Sequence, residues 1–146
     1  VTAAVATFQI SIPGRARGWA FLPVPALGLW LASLGWGCIS DWVRLGPEGL
    51  AMGHSFECLG SILTMSLPLG LILAVMVRHA GYGRPRATAL LGALSVSALA
   101  SAGVTFFHDL DTALMVLIWH MGPVLAITLA SWLFGERLFA WLGVKA

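Results

Sequence analysis

Four apolar stretches, each long enough to cross a lipid bilayer, dominate this chain of 146 residues. A transmembrane α-helix needs about 20 apolar residues. Charged residues make up only 10% of the chain and hydrophobic residues 59%, whereas roughly 25% of the residues in a soluble protein are charged. The sequence therefore predicts an all-α, integral membrane four-helix bundle that forms one transmembrane domain over residues 1–146. Its spans run approximately over residues 19–39, 57–77, 87–107 and 113–134.

Prolines interrupt these spans without ending them. Pro68 and Pro123 lie well inside the second and fourth spans, where neighbouring helices and hydroxyl groups can satisfy the carbonyls that a proline leaves unbonded. They therefore predict kinks. Pro23 and Pro25 lie near the start of the first span, where a proline is least costly.

Basic residues predict the orientation of the chain. Seven of the eight fall on one side of the predicted membrane, and only Arg44 falls on the other. Because cytoplasmic loops are enriched in Lys and Arg, both termini are predicted to be cytoplasmic. We therefore expect a multi-pass membrane protein. The seven residues are Arg15, Arg17, Arg78, Arg84, Arg86, Arg137 and Lys145.

The third span is rich in small residues at spacings that favour close packing. Such residues let the backbones of neighbouring transmembrane helices approach each other. The third span is therefore predicted to be the central helix of the bundle. The residues are Gly92, Ser95, Ser97, Ala98, Ser101 and Ala102.

Side chains that can bind a metal ion gather near the predicted outer face. His54 and Cys58 are four residues apart, so a helix would place them on one face. His108 and Asp111 lie in the loop before the fourth span, and His120 lies about two turns into that span. Imidazole, thiolate and carboxylate groups suit a zinc-like ion, and the thiolate favours a softer ion such as copper(I) or cadmium. These five residues are the candidate metal ligands.

Other interpretations of the same residues stay open. His54, Asp109 and Asp111 can be solvated loop residues, and Cys58 can be a small buried hydrophobe. His120 can be satisfied by one hydrogen bond to a hydroxyl or carbonyl, as ionisable residues within spans usually face a partner or a cavity. Alternatively, His120 and His54 or His108 could ligate haem in an electron-transfer subunit.

A structural role in a larger membrane complex is a third alternative, with the aromatic-rich first span as the docking face. Enzyme activity is not expected, since the sequence has no nucleophile elbow and no Gly-rich loop after a strand. Nucleic-acid binding is not expected either, because there is no basic stripe interleaved with aromatic residues.

The chain resembles a known family over roughly residues 13–141. The shared features are a cysteine, Cys58, that opens a span; the motif SLPL at residues 66–69; Arg78 followed by the RP of residues 84–85; and GERLFAW, which ends at Trp141. These features resemble the NrsF-type proteins, which are membrane-embedded negative regulators of an extracytoplasmic-function sigma factor.

The resemblance implies a six-span protein whose cytoplasmic N-terminal segment holds a sigma factor inactive, and the spans of this chain correspond to the last four. In that family two outward cysteines are associated with a response to heavy metals. The first matches Cys58, and the second aligns with His108. This exchange precludes a disulfide between the two positions but leaves metal coordination open, because histidine and cysteine are both zinc ligands. The resemblance therefore implies an anti-sigma regulator of the bacterial inner (plasma) membrane, and we expect it to sense a metal ion at its outer face.

Overall fold

The computed structural model describes residues 1–50, 56–78, 84–104 and 113–143, and within these residues the regular elements are all helical. Four of the described helices are long and apolar enough to cross a membrane. This confirms the prediction of an all-α membrane bundle with four spans. The α-helices are α1 Thr2–Ser11, α2 Pro23–Leu45, α3 Phe56–Val77, α4 Pro85–Val104 and α5 Ala113–Trp141, with 3-10 helices at Arg17–Phe21 and Gly46–Leu50.

The helices differ from the predicted spans mainly at their ends. Helix α1 was not predicted, because its 10 residues fall short of the length on which the spans were identified. Helix α5 continues to Trp141, beyond the predicted end at residue 134, and carries Glu136 and Arg137 on its last turns. Hydropathy identifies the part of a helix that lies in the hydrocarbon core of the membrane. A helix can extend beyond that part into the polar interface.

Proline and glycine define the two ends of α2. Pro23 lies in the first turn of α2. Backbone N–H groups in a first turn make no hydrogen bond within the helix, so a proline, which has no N–H group, breaks no helical hydrogen bond there. At the other end Gly46 adopts φ +64°, a conformation that is strained for residues with a Cβ atom. The Gly46 N–H donates a hydrogen bond to the carbonyl of Trp42, and Pro47 follows directly.

The two internal prolines do not end their helices. Helix α3 runs through Pro68 and α5 runs through Pro123, as the sequence predicts. The kinks at these positions stay predictions.

Helix α4 is the centre of the bundle and packs against α1, α3 and α5. Lipid tails are as apolar as the helix surfaces, so the hydrophobic effect does little to drive helices together inside a membrane. Close van der Waals contact between helices stabilises the bundle instead, and small side chains allow the helices to come that close. Most of the buried residues of α4 are small: Thr88, Ala89, Leu91, Gly92, Val96, Ser97, Ala100, Ser101 and Val104. Of the six small residues named from the third span, Gly92, Ser97 and Ser101 are buried, whereas Ser95 is half-buried and Ala98 and Ala102 are exposed.

Two apolar clusters show that α3, α4 and α5 alternate in direction. Val77 at the end of α3 meets Ala89 near the start of α4 and Phe139 near the end of α5. In the opposite half, Ile62 of α3 packs with residues 100 and 104 of α4. The first of these regions is called the basic end, because the described arginines other than Arg44 lie there; the opposite region is called the acidic end.

Helix α1 leads into the basic end. Ala6 and Ile10 pack against Leu91 of α4, and Trp19, Ala20 and Leu22, which lead into α2, pack against the same cluster. The linker that carries Arg15 and Arg17 is therefore held beside the start of α4.

Helices α4 and α5 approach each other closely at Gly135. A Cβ atom at this position would lie 2.8 Å from the Cβ atom of Ala89 and 3.2 Å from the Cα atom of Arg86. The second of these is backbone, so the obstruction cannot be relieved by a side-chain rotation. Glycine at residue 135 is what allows the two helices to pack at this distance.

Replacing Gly135 by alanine is expected to separate α4 from α5. Overpacking of this kind costs about 1–3 kcal/mol, and we expect the free energy of unfolding to fall by that amount. The measurement is the SDS-induced unfolding of the purified protein in mixed micelles, followed by circular dichroism. Gly122→Ala is the matched control on the same helix, because no described atom lies within 4 Å of its added Cβ. Equal stability of the two variants would contradict the packing described above.

The distribution of arginines predicts how the bundle sits in the membrane. Green fluorescent protein fused after residue 146 should fluoresce, and alkaline phosphatase at the same point should be inactive, because the basic end is expected to face the cytoplasm. Fusions after Pro47, which follows α2 at the acidic end, should behave in the opposite way. Active alkaline phosphatase at residue 146 would show that the orientation is reversed.

Candidate functional site

Helices α3 and α5 are joined at the acidic end by two aromatic rings. Phe56 in the first turn of α3 makes an edge-to-face contact with Trp119 of α5, with ring centroids 5.3 Å apart and planes at 71°. This geometry sets the positive edge of one ring against the negative face of the other. Cys58 lies two residues after Phe56 along α3, so the turn that contains this candidate ligand is next to α5.

His120 is buried between α4 and α5. Its side chain is 1% exposed, and its Nδ1 atom lies 2.8 Å from the hydroxyl oxygen of Ser101 in α4. This hydrogen bond joins two helices near the acidic end. A bond to a hydroxyl group is one of the alternatives that the sequence leaves open for His120, and its role as a metal or haem ligand stays a prediction.

A second polar contact at the acidic end comes from Asp41. Its Oδ2 atom accepts a hydrogen bond of 3.0 Å from the N–H of Ala113, the first residue of α5. The first N–H groups of a helix lack helical partners, and a carboxylate there also interacts favourably with the helix dipole. Asp41 therefore caps α5 from a different helix. Sequence reasoning missed this role, since no local pattern links residues 72 positions apart.

The other candidate ligands lie outside the described part of the chain or have no described side chain. His54 lies in the segment before α3, while His108 and Asp111 lie in the segment between α4 and α5. Among the described residues there is no group of three His, Cys, Asp or Glu residues that could hold a metal ion. The metal site and the haem alternative, which needs one of these histidines beside His120, both stay predictions.

The basic end is held by an exposed ion pair. The Nε atom of Arg86 lies 2.9 Å from one carboxylate oxygen of Glu136, and its Nη2 atom donates to the other at 3.2 Å. The guanidinium also lies 5.9 Å from the ring centroid of Trp132. Both charged side chains are about half exposed, and pairs of this kind contribute about 0–1 kcal/mol. The ion pair between Arg86 and Glu136 connects the start of α4 with the end of α5.

The family model described as "Negative regulator of sigma F" matches residues 1–141. The chain belongs to the NrsF family. The match includes α1, which lies outside the region over which the motifs resemble the family. Neither a curated protein nor a solved structure matches the chain.

Membership of the NrsF family indicates a negative regulator of a sigma factor, with that sigma factor as its partner. The four described helices that could cross a membrane indicate that the regulator is a membrane protein. The family is one of regulators and is not a known class of enzymes.

Removing the Ser101 hydroxyl is expected to weaken the contact between α4 and α5. Hydrogen bonds between transmembrane helices contribute about 0.6 kcal/mol on average and at most about 1.7, and Ser101→Ala should lower the free energy of unfolding by an amount in this range. The measurement is unfolding in mixed micelles. Ser97→Ala is the matched control, because the Ser97 hydroxyl donates to Ala93 within its own helix. If the two variants lose the same stability, the bond to His120 does not hold the helices together.

Proposed function

We propose that this member of the NrsF family holds a sigma factor inactive at the cytoplasmic side of the membrane and releases it when a metal ion binds at the outer face. The proposed first ligands are Cys58 and His108, with His54, His120 and Asp111 as secondary candidates. The basic end corresponds to the cytoplasmic side and the acidic end to the outer side.

The meeting of α3, α4 and α5 at the acidic end is the observation that supports this proposal. The contact between Phe56 and Trp119 places the first turn of α3, which contains Cys58, beside α5. The bond between Ser101 and His120 places the last turns of α4 beside the same part of α5. The segment that contains His108 connects those two helices along the chain. One ion bound by Cys58 and His108 would tie α3 to the connection between α4 and α5.

Helices α3 and α4 extend from the proposed metal site to the basic end, so a change in their packing affects both ends. Helix α3 ends at Val77, just before Arg78, and α4 begins at Pro85. A metal link at one end of this pair changes how the two helices pack. The segment between them reports that change on the cytoplasmic side. Switches of this type combine a local change of charge or packing with a structural element that has two arrangements.

The ligand types favour particular ions. Thiolate, imidazole and carboxylate groups are all ligand types that zinc takes in proteins. The thiolate gives cadmium and copper(I) an advantage over harder ions.

Metal binding to the purified protein tests the outer site. We expect Cys58→Ala combined with His108→Ala to abolish binding of Zn²⁺ and Cd²⁺, measured by isothermal titration calorimetry in detergent. Cys38→Ala is the matched control, because Cys38 lies in α2 and is not a proposed ligand. Affinity in the double variant equal to that of the unsubstituted protein would disprove the metal site.

Retention of a sigma factor is tested separately. Membranes of the native host that contain the affinity-tagged protein should retain a sigma factor, identified by mass spectrometry, and Cd²⁺ should release it. In the double variant the sigma factor should stay bound when Cd²⁺ is added. Retention without any release by metal would leave the regulatory function standing and overturn the metal-sensing part alone.

A further inference from the structure

A cavity of about 250 Å³ lies between α3, α4 and α5, away from the candidate metal ligands. Most of its lining is aliphatic or small, including Leu73, Ala93 and Ile127. Leu67 and Leu71 also line it and are 70% and 51% exposed. The cavity is therefore open on the side of α3 that faces lipid in a membrane.

The cavity is elongated along the helices. Thr88 and Val96 both line it and are eight residues apart in α4, which corresponds to about 12 Å at the rise of an α-helix. A helix with its side chains is roughly 10–12 Å wide and would not fit. An apolar cavity of about 150 Å³ can hold benzene, so this longer one has room for part of an alkyl chain.

Two buried hydroxyl groups line the cavity. Ser66 is 4% exposed and Thr88 is 1% exposed, and neither hydroxyl has a hydrogen-bond partner among the described residues. Other buried or half-buried hydroxyls in this bundle bond to the carbonyl one turn earlier in their own helix, as those of Thr7, Ser97 and Thr128 do. A buried hydroxyl without a partner is costly, and a ligand with an acceptor group would supply one.

The charge near Thr88 selects the kind of ligand. Thr88 lies in the first turn of α4, where its N–H donates to the carbonyl of Arg84. Arg78 and Arg84 lie at the same end of the bundle. Clusters of arginine at the membrane surface attract anionic lipid headgroups.

We propose that the cavity binds one acyl chain of an anionic phospholipid. The chain lies along α4 from Thr88 towards Val96, and the Thr88 hydroxyl donates a hydrogen bond to the ester carbonyl of the lipid. The phosphate lies near Arg78 and Arg84.

Native mass spectrometry of the detergent-purified full chain tests this proposal. The probes are phosphatidylglycerol and phosphatidylcholine with identical acyl chains, and the protein should retain one phosphatidylglycerol molecule in preference to phosphatidylcholine. Gly70→Leu should fill the cavity, because Gly70 lines it and no described atom lies within 4 Å of an added Cβ. We expect phosphatidylglycerol to bind this variant at least about tenfold more weakly. Gly60→Leu, at an equally open position of α3 outside the cavity lining, should bind as the unsubstituted protein does.

Thr88→Val tests the hydrogen bond while it keeps the shape of the side chain. Loss of one such bond should weaken phosphatidylglycerol binding about twofold to tenfold. If Gly70→Leu does not fold, Thr88→Val alone tests whether the cavity binds the lipid. Equal binding by Thr88→Val and the unsubstituted protein would overturn the proposal. So would equal retention by Gly70→Leu, which would mean that the headgroup binds at surface arginines alone. Displacement of the lipid by an equimolar amount of palmitate would overturn it too, since a free fatty acid would then be the occupant.

Discussion

Close packing around α4 is the constraint on which the rest of the structure depends. Inside a membrane the helices gain little from the hydrophobic effect, so they associate through surfaces that fit closely. The buried residues of α4 are mostly small, and Gly135 of α5 meets Ala89 at a distance that leaves no room for a Cβ atom. The positions of α1, α3 and α5 all follow from contact with this one helix.

The two ends of the bundle are held by different physical means. At the acidic end, polar groups of Ser101 and His120, and of Asp41 and Ala113, form hydrogen bonds that are buried or partly buried. Water competes little with such bonds, and salt screens buried interactions only weakly. At the basic end the pair between Arg86 and Glu136 is about half exposed, and salt and water weaken it.

Several features were predictable because they depend on local composition. The small residues of the third span predicted a central helix. The position of His120 inside a span made a hydrogen bond to a hydroxyl or carbonyl one of the stated alternatives. Helix α1 was missed because 10 residues carry no spanning signal of their own. Its place in the bundle comes from contact with Leu91 and its neighbours. The interhelical cap by Asp41 was missed for a similar reason, as it depends on where α2 lies beside α5.

The sequence by itself determined the class of the protein. The length of the apolar stretches and the uneven distribution of arginine indicate a membrane protein, because each depends on the preference of side chains for lipid or water. Neither depends on which helices are in contact. Its motifs also pointed to the NrsF family. Only the tertiary structure decided that Ser101 is the partner of His120 and that Ser66 and Thr88 line one cavity. These pairings depend on how each helix is rotated about its axis and how closely its neighbours approach. Both are set by the packing of the whole bundle, which no single stretch of sequence encodes.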